Sequence, residues 1–196
     1  ARNPELVINF YNERRKQLLD VVPNAGHLGV ADLERDFNVT VVTQNVDNLH
    51  ERAGSTHVIH LHGELTKVCS SRDPYNPHFV KELAPEEYEV KLGDKAGDGT
   101  QLRPFIVWFG ESVPEIETAI RYVEQADIFG IIGTSLNVYP AAGLLNYVPR
   151  AAEVYLIDPK PVDTHVMRPI HVIQKGASEG VKELKALLTV TQPPLP

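Results

Sequence analysis

The run Val39-Thr40-Val41-Val42 drives straight into Thr43-Gln44-Asn45-Val46-Asp47. Consecutive β-branched residues suit a buried strand, and the amide and acid side chains that follow cannot extend the same core. Open α/β sheets build ligand sites in this way, because loops beyond the strand ends line a crevice. A second apolar run, Val58, Ile59 and Leu61, then delivers His60 and His62 directly before Gly63.

The rest of the chain fits this class. Asn3 is placed to cap a first helix, Pro4 suits its first position, and Leu6, Val7, Phe10, Leu18 and Leu19 give it an apolar stripe. Asn24-Ala25-Gly26-His27 opens a helical stretch through Leu33, and a short helix over Asn48 to Arg52 is closed by Gly54. From about Ser70 to Leu102, prolines and glycines lie among charges with little periodicity, which predicts an inserted module or long loop. Alternation then resumes. Strands are expected at Phe105–Phe109, Ile128–Ile132, Val154–Ile157 and His171–Gln174, and helices at Ile116–Glu124, Ala141–Tyr147 and Glu179–Leu188. Thr189 to Pro196 reads as a loose tail. Strands alternating with helices predict an α/β fold, a parallel sheet with helices on both faces.

Composition narrows the function. A chain of 196 residues, 42% hydrophobic, can bury one good core and reads as one domain with a subdomain. The net charge of −7, without a long basic block, speaks against nucleic acid or an anionic membrane as partner. No apolar run reaches membrane-spanning length and Ala1-Arg2-Asn3-Pro4 is no secretory signal, so a cytoplasmic protein is expected. The lone Cys69 excludes an internal disulfide and a multi-cysteine zinc site.

Several constellations carry chemistry, each with a plainer alternative. Gly133-Thr134-Ser135 follows an apolar strand as a nucleotide-contacting turn would, and is also a common turn. Asp158 ends Val154-Tyr155-Leu156-Ile157 where an acid can hold ribose hydroxyls, or simply form a turn before Pro159. His62 is a candidate general base or a structural hydrogen bonder. Gln44, Asn45 and Asp47 can orient a ribose and a carboxamide, while Asp47 can equally cap the next helix. Tyr11 and Arg14 lie three apart on one helix, so phenol and guanidinium can converge on a carboxylate; the bland alternative is a surface Arg beside a core Tyr.

In sequence order, the segments Asn24–His27, Thr43–Asp47, Asn48-Leu49-His50, His62-Gly63-Glu64, Trp108-Phe109-Gly110-Glu111, Gly133–Ser135, Val138–Ala142 and Gly176-Ala177 resemble the sirtuins, the NAD-dependent protein-lysine deacylases. The resemblance implies a Rossmann-like core over about 25–65 and 105–188, a small module over about 1–24 and 66–104, and a tail at 189–196. It implies that His62 is the catalytic base. Gln44, Asn45, Val46 and Asp47 would hold the nicotinamide-ribose side of NAD. Gly133, Thr134, Ser135, Asp158 and Ala177 would hold the adenosine side, with Asp158 where the family usually has Asn. Val107, Phe109, Gly110 and Glu111, together with Leu136, Asn137 and Val138, would clamp an acyl-lysine peptide as an added strand. Tyr11 and Arg14 sit as in sirtuins that prefer succinyl- and malonyl-lysine. The implied reaction transfers ADP-ribose to the acyl oxygen and releases nicotinamide; attack by a ribose hydroxyl and collapse with water then yield free lysine and O-acyl-ADP-ribose.

Two departures shape the expectations. Most sirtuins carry a four-cysteine zinc site in the small module; here Cys69 alone remains, so a zinc-free module is expected. The family usually opens with a strand and a Gly-Ala-Gly-x-Ser loop, whereas this chain starts with the helix that would follow them. The first strand of the sheet is therefore expected to be missing, and this fragment to bind NAD poorly. The competing functions are a protein ADP-ribosyltransferase, and a non-catalytic fragment that binds ADP-ribose or peptide.

Overall fold

The computed structural model describes residues 3–134, 141–161 and 168–191. In chain order the elements are α1 (Pro4–Asp20), α2 (Ala25–Asp32), β1 (Val41–Thr43), α3 (Leu49–Ala53), β2 (Val58–His60), β3 (Gly63–Ser70), β4 (Lys81–Glu82), β5 (Leu102–Ile106), α4 (Ile116–Val123), β6 (Ile128–Ile132), β7 (Glu153–Ile157), β8 (His171–Ile173) and α5 (Ala177–Thr191), with short 3-10 turns between some of them. Two compact units form. One comprises Ala1–Val22, Thr43–Asn48 and His60–Pro114; the other comprises Pro23–Val42, Leu49–Ile59 and Glu115–Pro196.

In the first unit, the Asn3 side chain caps α1 by accepting the Leu6 N–H at 3.0 Å, and Pro4 takes the opening position. Of the expected stripe the helix buries Leu18 alone. Leu6 and Phe10 are more than half exposed, and the inward residues are Ile8, Arg15 and Leu18. A buried arginine is tolerated because carbonyls and an amide receive its protons. Nε donates to the Tyr88 carbonyl at 2.7 Å and Nη2 to Asn12 Oδ1 at 2.6 Å. Asn12 in turn bonds both backbone groups of Val90, at 2.8 and 3.0 Å. Burial pulls the Arg15 guanidinium down to about 10, so it stays charged at neutral pH.

The sheet of this unit is antiparallel, in the order β4-β3-β5. Two expectations fail here. The stretch expected to be irregular contributes β4 and leads into β5 at Leu102, and β5 ends at Ile106 instead of running over Phe105–Phe109. Pro104 sits within β5, and Arg103 beside it is buried, so the strand carries little of the apolar alternation that marks one in sequence. The apolar centre is small: Ile8, Val68 and Val90, with Leu83 and Leu102 packed against them. A polar knot lies beside it. The fully buried Ser70 hydroxyl donates to Asp98 at 2.7 Å and accepts the Arg72 and Asp73 N–H groups, each at 3.0 Å. Asp98 also takes the Thr100 hydroxyl at 2.7 Å and Arg72 Nη2 at 3.2 Å. Burial pushes the Asp98 carboxyl up, but the hydrogen bonds from Thr100 and Ser70 outweigh it and hold the group at about 2.

In the second unit, β6, β7 and β8 are parallel neighbours in that order, with Ile128 opposite Glu153 and Tyr155 opposite His171. Its core gathers Val30, Leu33, Tyr155, Ile157, Val181 and Leu184. Small residues let α2 lie tightly on α5: a Cβ added at Gly29 would come within 2.8 Å of Val181 Cγ1. Asn24 and His27 form a reciprocal cap at the start of α2. The strand expected at Ile128–Ile132 appears with those bounds. Thr189, expected in the tail, lies in α5, whose buried Leu184 and Leu188 continue the helical face. β1 and β2 form a two-stranded sheet, in which the Val41 N–H bonds the His57 carbonyl at 2.9 Å. Among the described residues no helix is long and apolar enough to cross a membrane.

Candidate functional site

Three segments distant in sequence meet around His62, all in the first unit. Leu61 N–H bonds the Thr43 carbonyl, Leu65 N–H bonds the Val46 carbonyl at 2.7 Å, and Val107 N–H bonds the carbonyl of His62 itself at 2.9 Å. His62 thus lies in a turn between β2 and β3, with Thr43–Val46 along one side and Val107 at its backbone. Gly63 makes this crossing feasible. Its φ is +84°, and a Cβ there would fall 2.1 Å from the Phe105 carbonyl oxygen.

The half-buried imidazole is held in one tautomer. Nδ1 lies 3.2 Å from the Gln44 carbonyl oxygen, which can only accept, so Nδ1 carries the proton. Nε2 then keeps its lone pair and is free in electronic terms to take a proton. His60 makes a similar contact, Nδ1 to the Asn45 carbonyl at 3.3 Å. Thr43 is buried and its hydroxyl accepts the Asn45 N–H at 3.0 Å, which shapes the turn carrying Gln44, Asn45, Val46 and Asp47. The buried carboxamide oxygen of Asn48 has no hydrogen-bond partner among the described residues.

Trp108 joins α1 to this region. Its indole Nε1–H donates to the Tyr11 hydroxyl at 3.1 Å. The Arg103 guanidinium stacks 3.5 Å from the indole centroid while its nitrogens donate to Glu111 at 2.7 and 3.0 Å and to the Ile106 carbonyl at 2.6 Å. Glu111 also receives the Trp108 backbone N–H at 2.9 Å. The Arg103 hydrogen bonds hold the Glu111 carboxyl below the usual carboxylate range. Its oxygens are therefore committed to bracing the 108–111 turn, beside a fully exposed Phe109 and Gly110 at φ +89°. Arg14 is exposed; its guanidinium lies 5.2 Å from the Phe10 ring centroid and donates to Gln17. Phe10 stands edge-on to Tyr11, with centroids 5.2 Å apart.

In the second unit, Gly133 turns at the end of β6 with φ +60°, its N–H tied to the Ile157 carbonyl at 2.9 Å. Asp158 accepts the Lys160 N–H at 2.8 Å, the turn-forming role, with its carboxylate half-buried at the end of β7. Thr134 follows Gly133, and Ala177 opens α5. Ser135, Leu136, Asn137 and Val138 lie outside the described residues. Among the described residues no three His, Cys, Asp or Glu side chains converge. Cys69 is buried, donates to the Pro104 carbonyl at 3.7 Å, and is pushed by burial up to about 11, so it stays a thiol.

Arg103, Trp108 and Asn48 join the site only in the structure. Residue type does not announce a buried arginine or an indole serving as a donor, although Trp108 stands inside the Trp-Phe-Gly-Glu segment.

Residues 1–140 match the Sir2 family model, and the chain belongs to that family. An NAD-dependent protein deacylase of Bacteroides thetaiotaomicron is 82% identical over 187 residues, covering 95% of this chain and 80% of that protein. A solved Sir2 homologue in complex with NAD is 36% identical with a TM-score of 0.81, covering 97% of this chain and 74% of its own. A Sir2 complex with a p53 peptide and NAD+ is 27% identical with a TM-score of 0.71, covering 89% and 74%. The fold is thus the Rossmann-type fold of Sir2 proteins, as the sequence predicts.

Proposed function

We propose that this chain is an NAD-dependent protein-lysine deacylase that favours succinyl- and malonyl-lysine, with acetyl-lysine a weaker substrate. The observation that carries the reading is His62, whose Nδ1–H is fixed on the Gln44 carbonyl 3.2 Å away. The 82% identical relative named an NAD-dependent protein deacylase, and the Sir2 homologue bound to NAD, support it.

The residues present suit NAD. The unpartnered, buried Asn48 oxygen next to Asp47 is an acceptor that a carboxamide or hydroxyl donor would satisfy. Gln44, Asn45, Val46 and Asp47 would hold the nicotinamide-ribose side, while Gly133, Thr134, Ser135, Asp158 and Ala177 hold the adenosine side. NAD would supply an electrophilic ribose carbon and nicotinamide as leaving group; one water is consumed in freeing the lysine amine, and the acyl group would leave on the ribose as O-acyl-ADP-ribose. His62 Nε2 takes the proton of a ribose hydroxyl, and the Gln44 carbonyl stabilises the imidazolium that results. Val107, Phe109 and Gly110, with Leu136, Asn137 and Val138, would pair with the peptide backbone, and Glu111 braces the 108–111 turn through Arg103. The Sir2 complex with a p53 peptide supports a protein substrate.

The acyl preference rests on α1. The Tyr11 oxygen accepts from Trp108, so its own proton points elsewhere, and Arg14 has no carboxylate partner among the described residues. A phenol donor and a guanidinium one turn apart make a receptor for a carboxylate.

The test is turnover of matched succinyl-, malonyl- and acetyl-lysine peptides with NAD, followed by mass spectrometry of peptide and nicotinamide. His62→Ala should lower kcat by about a hundredfold or more. Arg14→Met should remove the preference for acidic acyl groups. Equal rates on acetyl and succinyl peptides would refute the preference; nicotinamide release with the acyl group retained would point to ADP-ribosyl transfer instead.

A further inference from the structure

We infer that Trp108 is a positioning residue for acyl-group selection, acting through the Tyr11 hydroxyl. This rests on the carboxylate-receptor reading of Tyr11 and Arg14. An indole N–H can donate but never accept, so at 3.1 Å the Tyr11 oxygen is the acceptor. A phenol has one proton. With its oxygen turned toward Trp108, that proton is directed away from the indole, and among the described residues it meets no acceptor. A hydroxyl so arranged is preset as a donor to an acceptor-only group such as a carboxylate. It gains nothing comparable from the methyl end of an acetyl group.

The indole is itself fixed. Arg103 covers one face at 3.5 Å, and the Trp108 backbone N–H is held by Glu111 at 2.9 Å. Arg103 in turn is locked by two bonds to Glu111 and one to the Ile106 carbonyl. The partner helix is equally constrained, because the buried Arg15, one turn beyond Tyr11, ties α1 to the Tyr88 carbonyl. Donor and acceptor therefore approach from two braced elements, and little ordering remains to be done when the acyl carboxylate binds.

A double-mutant cycle on the protein tests this, with the ratio of kcat/KM for succinyl over acetyl peptide as readout. Trp108→Phe keeps a ring beneath Arg103 and deletes the donor; it should lower the ratio about fivefold, one hydrogen bond's worth, through KM for the succinyl peptide. Tyr11→Phe should lower it at least as far. In the Tyr11→Phe background, Trp108→Phe should change it no further, whereas a purely structural role would add a second loss. Trp108 is the chain's single tryptophan, so its fluorescence should shift with a succinyl-lysine peptide and lose that response in Tyr11→Phe. Additive losses, or an unchanged ratio in Trp108→Phe beside a reduced one in Tyr11→Phe, would overturn the inference alone. A wild-type protein without succinyl preference, unmoved by Tyr11→Phe, would overturn the receptor reading and this inference with it.

Discussion

The two units reach stability by different means. The second is organised by apolar periodicity: Tyr155 and Ile157 of β7, Val181 and Leu184 of α5, Val30 of α2 and Leu33 just after it share one core. The first has a sparse apolar centre of Ile8, Val68 and Val90, and buries polar groups beside it. Arg15 and Arg103 are both less than a tenth exposed, and Ser70 is fully covered. Apolar burial is non-directional and tolerates repacking, whereas a buried guanidinium holds only while its acceptors are in place. The unit that carries His62 is therefore the one whose geometry is most specified and whose tolerance is least.

Substitutions that exchange these two styles should show it. Arg103→Met keeps the stem but strands Glu111 and the Ile106 carbonyl, and should cost about 4 kcal/mol in urea unfolding. A cost below about 1 kcal/mol would mean the polar bracing is ornamental. Leu184→Ala, a cavity in the apolar core, should cost about 3 kcal/mol, with hydrogen-exchange protection lost around α5. The acid limb separates the units further. With its folded value held at about 2, below the ordinary 3.8, Asp98 contributes stability that is fully present above about pH 4 and lost as pH falls through about 2. Asp98→Asn should therefore be less stable than wild type near neutrality and show a flatter decline over that window. A parallel pair of curves would remove Asp98 from the account. Last and smallest, a chelator such as EDTA should leave Tm within about 1 °C, because Ser70, Thr100 and Arg72 take up the Asp98 oxygens that a metal would otherwise claim. A clear fall in Tm would show a structural metal.

How much of this the sequence disclosed follows the same division. In the second unit, an unbroken apolar run marked β6 to the residue, and α4 fell within one residue of its expected end. In the first, Leu65, Val68 and Cys69 alternate imperfectly with polar residues along β3, and a proline interrupts β5, so periodicity carried little signal. The aromatic pair Trp108-Phe109 looked like strand, yet Phe109 is fully exposed on a turn. At the site, residue types and order pointed to His62 and to the segment Gln44–Asp47, because polar side chains after buried runs are conspicuous. On α1 the apolar pattern marks the buried Leu18 but not Arg15, which obeys no hydrophobic pattern and is explained only by the carbonyls it meets.

The backbone crossing at Gly63 bears on transplantation. A histidine base is a single residue, easily written into another protein. Here its tautomer is set by a carbonyl from residue 44, and its main chain is bonded to residue 107, while the neighbouring glycine lies where a methyl group would strike residue 105. Any graft of this chemistry onto a foreign scaffold must import three chain segments and the space between them, and a transfer of the histidine alone would carry none of its preparation.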